Sequence, residues 1–114
     1  MNNLDNTHLT TNQSKALSEL KRKLLNKFDI KTMILYGSVT RGEADEESDL
    51  DLLIVTAHPL SRTVRHKITD LAFDVNLLYE ANISTLVVDY KSWEEGVFLV
   101  LPLREEILKD GILL

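Results

Sequence analysis

The sequence of 114 residues contains no cysteine. This absence excludes disulfide bonds, cysteine-based zinc sites and thiol catalysis, and it is compatible with a reducing cytoplasm. Long apolar runs are also missing, because the longest uninterrupted one, Val97 to Leu101, is far too short to cross a membrane. The polar residues Met1 to Gln13 include no apolar stretch of the kind found in signal peptides. We therefore expect a cytoplasmic protein without a membrane segment.

Positive charge is scarce, since 13 lysines and arginines stand against 18 aspartates and glutamates, for a net charge of −5. A non-specific nucleic-acid binder needs an excess of basic residues to neutralise phosphates, so a nucleic-acid partner is not expected. Two basic clusters are nevertheless present: Lys21, Arg22, Lys23 and Lys27, and then Arg62, Arg65, His66 and Lys67. We interpret both as solvated helix faces, the alternative being contact with an acidic partner or a phosphate.

Three segments have the periodicity or the end signals of helices. The first has Thr11 or Ser14 as its N-cap and carries one apolar stripe. The second lies within residues 61–81, where five apolar residues recur at 4-3-4-3 spacing. The last begins at Pro102 and ends before Gly111, which suits a helix C-terminus.

Three apolar runs predict buried strands: Thr32–Tyr36, Asp49–Ala57 and Ile83–Asp89. The connecting segments are a short helix or tight loop at residues 38–42, an acidic loop at 43–48, and a turn or short helix at 93–96. The apolar residues 97–101 are either core or an exposed patch for another subunit. Without a linker or an internal repeat, residues 14–114 are predicted to form one domain after a flexible segment, residues 1–13.

A Gly-Ser turn follows the first predicted strand. Glycine lets the backbone approach a ligand closely, and a serine at a helix start offers a hydroxyl beside N–H groups that attract anions. Arg41, one turn further along, has the charge to neutralise a phosphate. We therefore predict that Gly37, Ser38 and Arg41 bind a nucleotide, although each alone has an ordinary explanation as a loop or surface residue.

An Asp-x-Asp pair opens the next strand, so Asp49 and Asp51 share one face while Leu50, Leu52 and Ile54 face the core. Carboxylates about 7 Å apart on one strand face repel each other and converge favourably on a cation. Oxygen ligands without histidine or cysteine favour Mg²⁺ or Mn²⁺, whose remaining ligands are water and phosphate oxygens. The pair therefore predicts a catalytic metal-triphosphate site, whereas alone it would more often be a solubilising strand end.

The two motifs together resemble the signature of the DNA polymerase β-like nucleotidyltransferase superfamily: Gly37-Ser38, then ten residues, then Asp49-Leu50-Asp51. The segments Tyr36 to Gly42 and Ser48 to Leu52 resemble its small prokaryotic branch, the minimal nucleotidyltransferases (MNT). The ending, Pro102 to Leu113, is similar to the tail of those proteins. The resemblance thus spans nearly all of the chain after the first helix.

This resemblance implies an α+β fold, a small mixed β-sheet flanked by helices. It also implies transfer of a nucleotidyl group, AMP from ATP, to a hydroxyl under two-metal catalysis by Mg²⁺ or Mn²⁺. Gly37 and Ser38 would hold the triphosphate, and Asp49 and Asp51 the metals. The acceptor would be presented by a partner protein or a second subunit, and the partner typical of the family is a HEPN toxin. The protein would then be the antitoxin.

One feature departs from the family, whose active members usually carry a third acidic residue on the next strand. Asp74 lies in a Val-Asp-Leu-Val-like run, but the apolar period places it on a helix. Asp89 lies only at the end of the third strand. The third acid is therefore Asp74, Asp89 or absent, and the general base is unassigned. Two alternatives follow: a binding module that neutralises its partner without catalysis, and an antibiotic nucleotidyltransferase, a class that generally carries a further domain.

Overall fold

The computed structural model describes residues 9–42, 45 and 47–114. Glu43, Ala44 and Glu46 of the predicted acidic loop lie outside the described residues, as does most of the predicted flexible segment. The elements are α1 (Thr11–Lys27), β1 (Ile30–Tyr36), a first 3₁₀ turn (Ser38–Arg41), β2 (Leu50–Thr56), α2 (Arg62–Tyr79), β3 (Ile83–Asp89), α3 (Tyr90–Glu95), a second 3₁₀ turn (Val97–Val100), α4 (Pro102–Asp110) and β4 (Ile112–Leu113). Over the described part of the chain, no helix has the length and apolarity required to traverse a bilayer.

The four strands form one sheet in the order β3-β2-β1-β4. β1 pairs antiparallel with both β2 and β4, whereas β2 and β3 run parallel and are joined by α2. The sheet is therefore mixed and flanked by helices, which confirms the predicted α+β architecture. β4 has two residues and was not predicted, because its pairing with Ile34 and Leu35 depends on contacts distant in sequence.

Both faces of β2 are covered, which explains its nearly continuous apolar sequence. As predicted, Leu50, Leu52 and Ile54 share one face and pack in the core, which side chains of α1 and α2 complete. On the other face Leu53 and Val55 pack with side chains of α3 and α4. Since side chains alternate along a strand, Asp51 points to this second face, where it interrupts the apolar row.

The helices begin and end close to the predicted positions, with two refinements. α1 begins at Thr11, three residues before the predicted domain boundary, and its N-cap is Thr10 rather than Thr11 or Ser14. Thr10 and Gln13 form a capping box in which each side chain accepts a backbone N–H of the other residue. Of the turn or short helix predicted at residues 93–96, the structure has a short helix, α3, which begins earlier, at Tyr90, and has Gly96 as its C-cap.

Apolar side chains are exposed along the second 3₁₀ turn and on α2. Val97, Leu99 and Val100 are all exposed, which selects the exposed patch over the core among the two alternatives for residues 97–101. On α2, Ile68 and Val75 of the predicted apolar stripe are buried. Leu78 of the same stripe is exposed, since it lies at the margin of the buried face.

Candidate active site

The Gly-Ser turn and the aspartate pair meet where β1 ends and β2 begins. The two strands are antiparallel neighbours, and Tyr36, the last residue of β1, lies opposite Asp51. Gly37 follows Tyr36 directly, so the turn begins beside the Asp51 carboxylate. The two motifs, separated by ten residues in sequence, therefore form one corner of the sheet.

Gly37 is required in this corner by its conformation and by the space available. Its φ of 92° and ψ of −163° lie in a region that residues with a side chain rarely adopt. A Cβ atom at this position would lie 2.5 Å from Oδ2 of Asp51. The glycine thus lets the backbone and the carboxylate approach each other without a side chain between them.

The first 3₁₀ turn is held by hydrogen bonds to its own backbone. Thr40 donates both its N–H and its hydroxyl to the carbonyl oxygen of Gly37, over 3.1 and 2.7 Å. Gly42 closes the turn in the left-handed conformation, and its N–H donates to the carbonyls of Ser38 and Val39. Ser38 therefore starts a fixed turn, at the end nearest to Asp51.

Arg41 lies at the last position of the turn and is exposed. Its Nη1 atom is 3.9 Å from Oδ2 of Asp110, the last residue of α4. This ion pair connects the turn to the helix that covers the second face of the sheet. Arg41, for which phosphate neutralisation is predicted, therefore lies on the same turn as Ser38 and forms an ion pair with an acidic side chain.

The two carboxylates of the pair repel each other in a partly buried site. Burial, and then the charge of Asp49, raise the pKa of Asp51 above its ordinary value. Burial and the charge of Asp51 likewise raise the pKa of Tyr36. A cation between the carboxylates would offset this repulsion, so the donor set fits a hard divalent metal such as Mg²⁺. No group of three acidic, histidine or cysteine side chains suited to a metal occurs among the described residues.

The lead-in to Asp49 is a compact turn anchored to α1. In the turn the Oδ1 atom of Asp45 accepts the N–H of Glu47 over 2.9 Å, and Ser48 Oγ accepts the N–H of Asp45 over 2.9 Å. Gln13, which is buried, donates to the carbonyl of Asp45 over 3.2 Å. Gln13 was not predicted as a supporting residue, although the Thr-x-x-Gln capping box is a readable signal for its position.

Two asparagines fix the start of β3 beside the site. The side chain of Asn76 accepts the N–H of Ile83 over 2.8 Å and donates to its carbonyl over 3.0 Å. The carbonyl of Asn82 accepts the N–H of Leu50 over 2.8 Å, and its side chain donates to the carbonyl of Glu47. Nothing in the sequence signals these roles, because each depends on a contact between different elements.

Neither candidate for a third acid lies near Asp51. Asp74 is exposed on α2, as the apolar period predicted. Asp89 lies opposite Thr56 at the far end of β3, where its carboxylate caps α3 by accepting the N–H and the hydroxyl of Ser92. The residue of β3 opposite Asp51 is Ser84, whose side chain shares its face. In the described part of the chain, the site has two carboxylates and a serine on the next strand.

The family model of the nucleotidyltransferase domain matches residues 16–114. A proposed protein adenylyltransferase of Methanocaldococcus jannaschii is 39% identical over 77 residues, which cover 64% of this chain and 52% of the relative. The chain therefore spans about half the length of this curated relative. The match over residues 16–114 confirms the predicted family.

Two solved structures have the same fold. A minimal nucleotidyltransferase is 28% identical with a TM-score of 0.60, over 94% of this chain and 98% of that one. A complex of a tri-AMPylated HEPN toxin with an MNT antitoxin, from Shewanella oneidensis, gives a TM-score of 0.54 at 16% identity, over 90% of this chain and 71% of that one. The second likeness is one of fold alone, and both agree with the predicted nucleotidyltransferase fold.

Proposed function

The chain belongs to the nucleotidyltransferase-domain family, and we propose that it is a Mg²⁺-dependent enzyme that transfers AMP from ATP to a hydroxyl group. The acceptor is a side chain of a partner protein, and the partner class best supported is a HEPN toxin that the modification neutralises. Asp49 and Asp51 are the catalytic metal ligands, and Gly37, Ser38 and Arg41 bind the triphosphate.

The approach of the Gly37 backbone to the Asp51 carboxylate carries this proposal. Because Gly37 has no Cβ, the turn and the carboxylate lie side by side. A Cβ atom built at Gly37 would be only 2.5 Å from Oδ2 of Asp51. A phosphate bound by the turn would therefore lie next to the carboxylates that hold its counter-cation. Burial, and then the charge of Asp49, raise the pKa of Asp51, and a divalent ion held there would offset both the burial of the charge and the repulsion.

In the proposed reaction the acceptor oxygen bonds to the α-phosphorus of ATP, and the bond from that phosphorus to the bridging β-oxygen breaks. Pyrophosphate leaves with the bridging oxygen, and the hydroxyl proton passes to solvent. A divalent ion held by Asp49 and Asp51 would supply charge neutralisation for this displacement. Asp49 and Asp51 would orient the donor through that ion, while the turn at Gly37 and Ser38 leaves room for the triphosphate and holds it in place.

The acceptor class rests on two relatives. The curated relative is a proposed protein adenylyltransferase, and the Shewanella complex contains an AMPylated HEPN toxin beside an MNT antitoxin. The direct test is incubation with α-labelled ATP, Mg²⁺ and the product of the neighbouring gene. We expect label on the partner with the wild type and none with Asp49→Asn/Asp51→Asn. Absence of label on a partner that binds the protein would contradict the proposal.

A second function is favoured by β3, the next strand, which has Ser84 and not an acid opposite Asp51. In this alternative the protein neutralises its partner by binding and transfers nucleotide weakly or not at all. Full neutralisation by Asp49→Asn/Asp51→Asn would support binding alone. A large gain in labelling on Ser84→Asp, with Ser84→Asn as the uncharged control, would instead show a competent site limited by its missing carboxylate.

A further inference from the structure

A groove follows the outer edge of β3, which is the last strand on one side of the sheet. Two cavities of about 260 and about 490 Å³ lie along this edge, and Arg65, Leu86 and Val87 line both of them. One wall of the groove is the N-terminal half of α2. The other is formed by Ser92 of α3 and Phe98 of the second 3₁₀ turn.

The backbone of β3 is covered at two points along this edge and open between them. The side chain of Asn76 hydrogen-bonds to both the N–H and the carbonyl of Ile83. Nη2 of Arg65 donates to the carbonyl of Val87 over 3.3 Å. Thr85 lies between them on the same edge, because alternate residues of a strand point their backbone groups to the same side. No hydrogen bond from the described residues covers its N–H or carbonyl on that side, so a strand edge remains open.

The two walls differ in chemistry. Arg62, Arg65 and His66 form a basic wall on a chain whose net charge is −5. On the opposite side, Phe98 and Leu86 of β3 present apolar surface to the groove. The carboxylate of Asp89 also borders the groove, but it is held by Ser92 at the start of α3. An extended chain lying here would meet positive charge on one side and apolar surface on the other.

We propose that this groove binds an extended segment of a partner protein in which acidic and apolar residues alternate. The segment adds to β3 as a fifth strand and pairs with the backbone of Thr85 and Val87. Because side chains of a strand alternate, its acidic residues face α2 and its apolar residues face Leu86 and Phe98. Arg65 then exchanges the Val87 carbonyl for a carboxylate, a stronger acceptor.

A second copy of the chain fits this edge poorly. Pairing of β3 with its own symmetry mate would bring two basic walls together, and like charges across an interface disfavour association. Charge complementarity therefore selects an acidic strand over self-association. This surface is separate from the proposed nucleotide site, so Arg62→Glu/Arg65→Glu should leave metal binding at Asp49 and Asp51 unchanged.

The test is titration of the ¹⁵N-labelled protein with a short capped peptide of alternating glutamate and valine. We expect the amide resonances of Thr85 and Val87 to shift and their hydrogen exchange to slow. Arg62→Glu/Arg65→Glu should raise the Kd at least about tenfold, which corresponds to about 1.4 kcal/mol. Lys21→Glu/Lys27→Glu makes the same charge change in the other basic cluster and should leave the Kd unchanged.

Two further peptides and one variant make the test decisive. A peptide with lysine in place of glutamate, and one with glutamates and valines in separate blocks, should both bind more weakly. Thr85→Pro removes the outward N–H without loss of a ladder bond and should also weaken binding, while the fold is checked by circular dichroism. Three outcomes would overturn the proposal. They are equal binding of all three peptides, resonance shifts confined to elements other than β3, and a dimer on gel filtration that Thr85→Pro dissociates.

Discussion

Asp51 and Asp89 lie towards opposite ends of two neighbouring parallel strands, and their surroundings are opposite in kind. Asp89 accepts the N–H and the hydroxyl of Ser92, and these hydrogen bonds lower its pKa. Asp51 is partly buried beside another carboxylate, and its pKa is raised. No hydrogen-bond donor to its carboxylate is found within the described ranges. The contrast favours a structural role for Asp89, and it supports the proposed role of the buried, repelled Asp51 carboxylate as a metal ligand.

The largest expected effect comes from displacing the Asp51 carboxylate. Gly37→Ala would force an unfavourable backbone conformation and push a methyl group against Oδ2 of Asp51. We expect AMP transfer to fall by about 100-fold or more, since small misplacements of catalytic groups have costs of that order. Steady-state labelling of the partner with α-labelled ATP measures this change.

Gly42→Ala is the matched control for that variant. Gly42 also has a positive φ, of 72°, but it closes the other end of the turn. The substitution introduces backbone strain of similar kind at the end of the turn away from Ser38. A comparable loss of transfer in both variants would mean that the turn, and not the carboxylate, is what Gly37 protects.

The second effect is stabilisation by metal, which should depend on Asp51 and not on Asp89. Because bound ligand stabilises the folded state by mass action, saturating Mn²⁺ should raise the Tm of the wild type by several degrees. Asp51→Asn should abolish the rise, and Asp89→Asn should leave it intact. Differential scanning fluorimetry with and without Mn²⁺ checks this, with Ca²⁺ as a comparison ion. An undiminished rise in Asp51→Asn would place the metal elsewhere.

The sequence predicted the site corner because its signals are local. The alternation of Leu50, Asp51 and Leu52 predicts which side chains share a face, and Gly37 marks a turn after a buried run. The residue opposite Asp51 could not be predicted, since the register of β3 depends on pairing across the whole length of α2. For the same reason the two hydrogen bonds between the Asn76 side chain and the Ile83 backbone could not be predicted from the sequence.

A smaller effect is expected when the structural acid is removed. Asp89→Ala deletes the N-cap of α3, leaving the N–H of Ser92 without its acceptor. We expect a Tm lower by a few degrees and unchanged AMP transfer per folded molecule. Asp89→Asn keeps an acceptor oxygen and should lose less stability. Transfer that fell as far as in Gly37→Ala would show that Asp89 belongs to the active site after all.

The smallest effect is on how stability changes with pH. Asp51 and Asp89 should change the free energy of unfolding in opposite directions as the pH rises. The pKa of Asp89 is lowered on folding, so its contribution is present above its unfolded value, near 3.8, and is lost as the pH falls through the folded pKa. The pKa of Asp51 is raised, so the contribution of Asp51 to stability is fully present below 3.8 and is lost as the pH rises through the folded pKa.

In metal-free buffer at neutral pH, Asp51→Asn should therefore raise the Tm slightly, whereas Asp89→Asn should lower it. At a pH below both pKa values the two differences should shrink towards zero, because both wild-type carboxyls are then protonated and uncharged. Melting curves of the three proteins across the acidic range measure this, and a Tm for Asp51→Asn below that of the wild type at neutral pH would show that the fold stabilises both carboxylates alike.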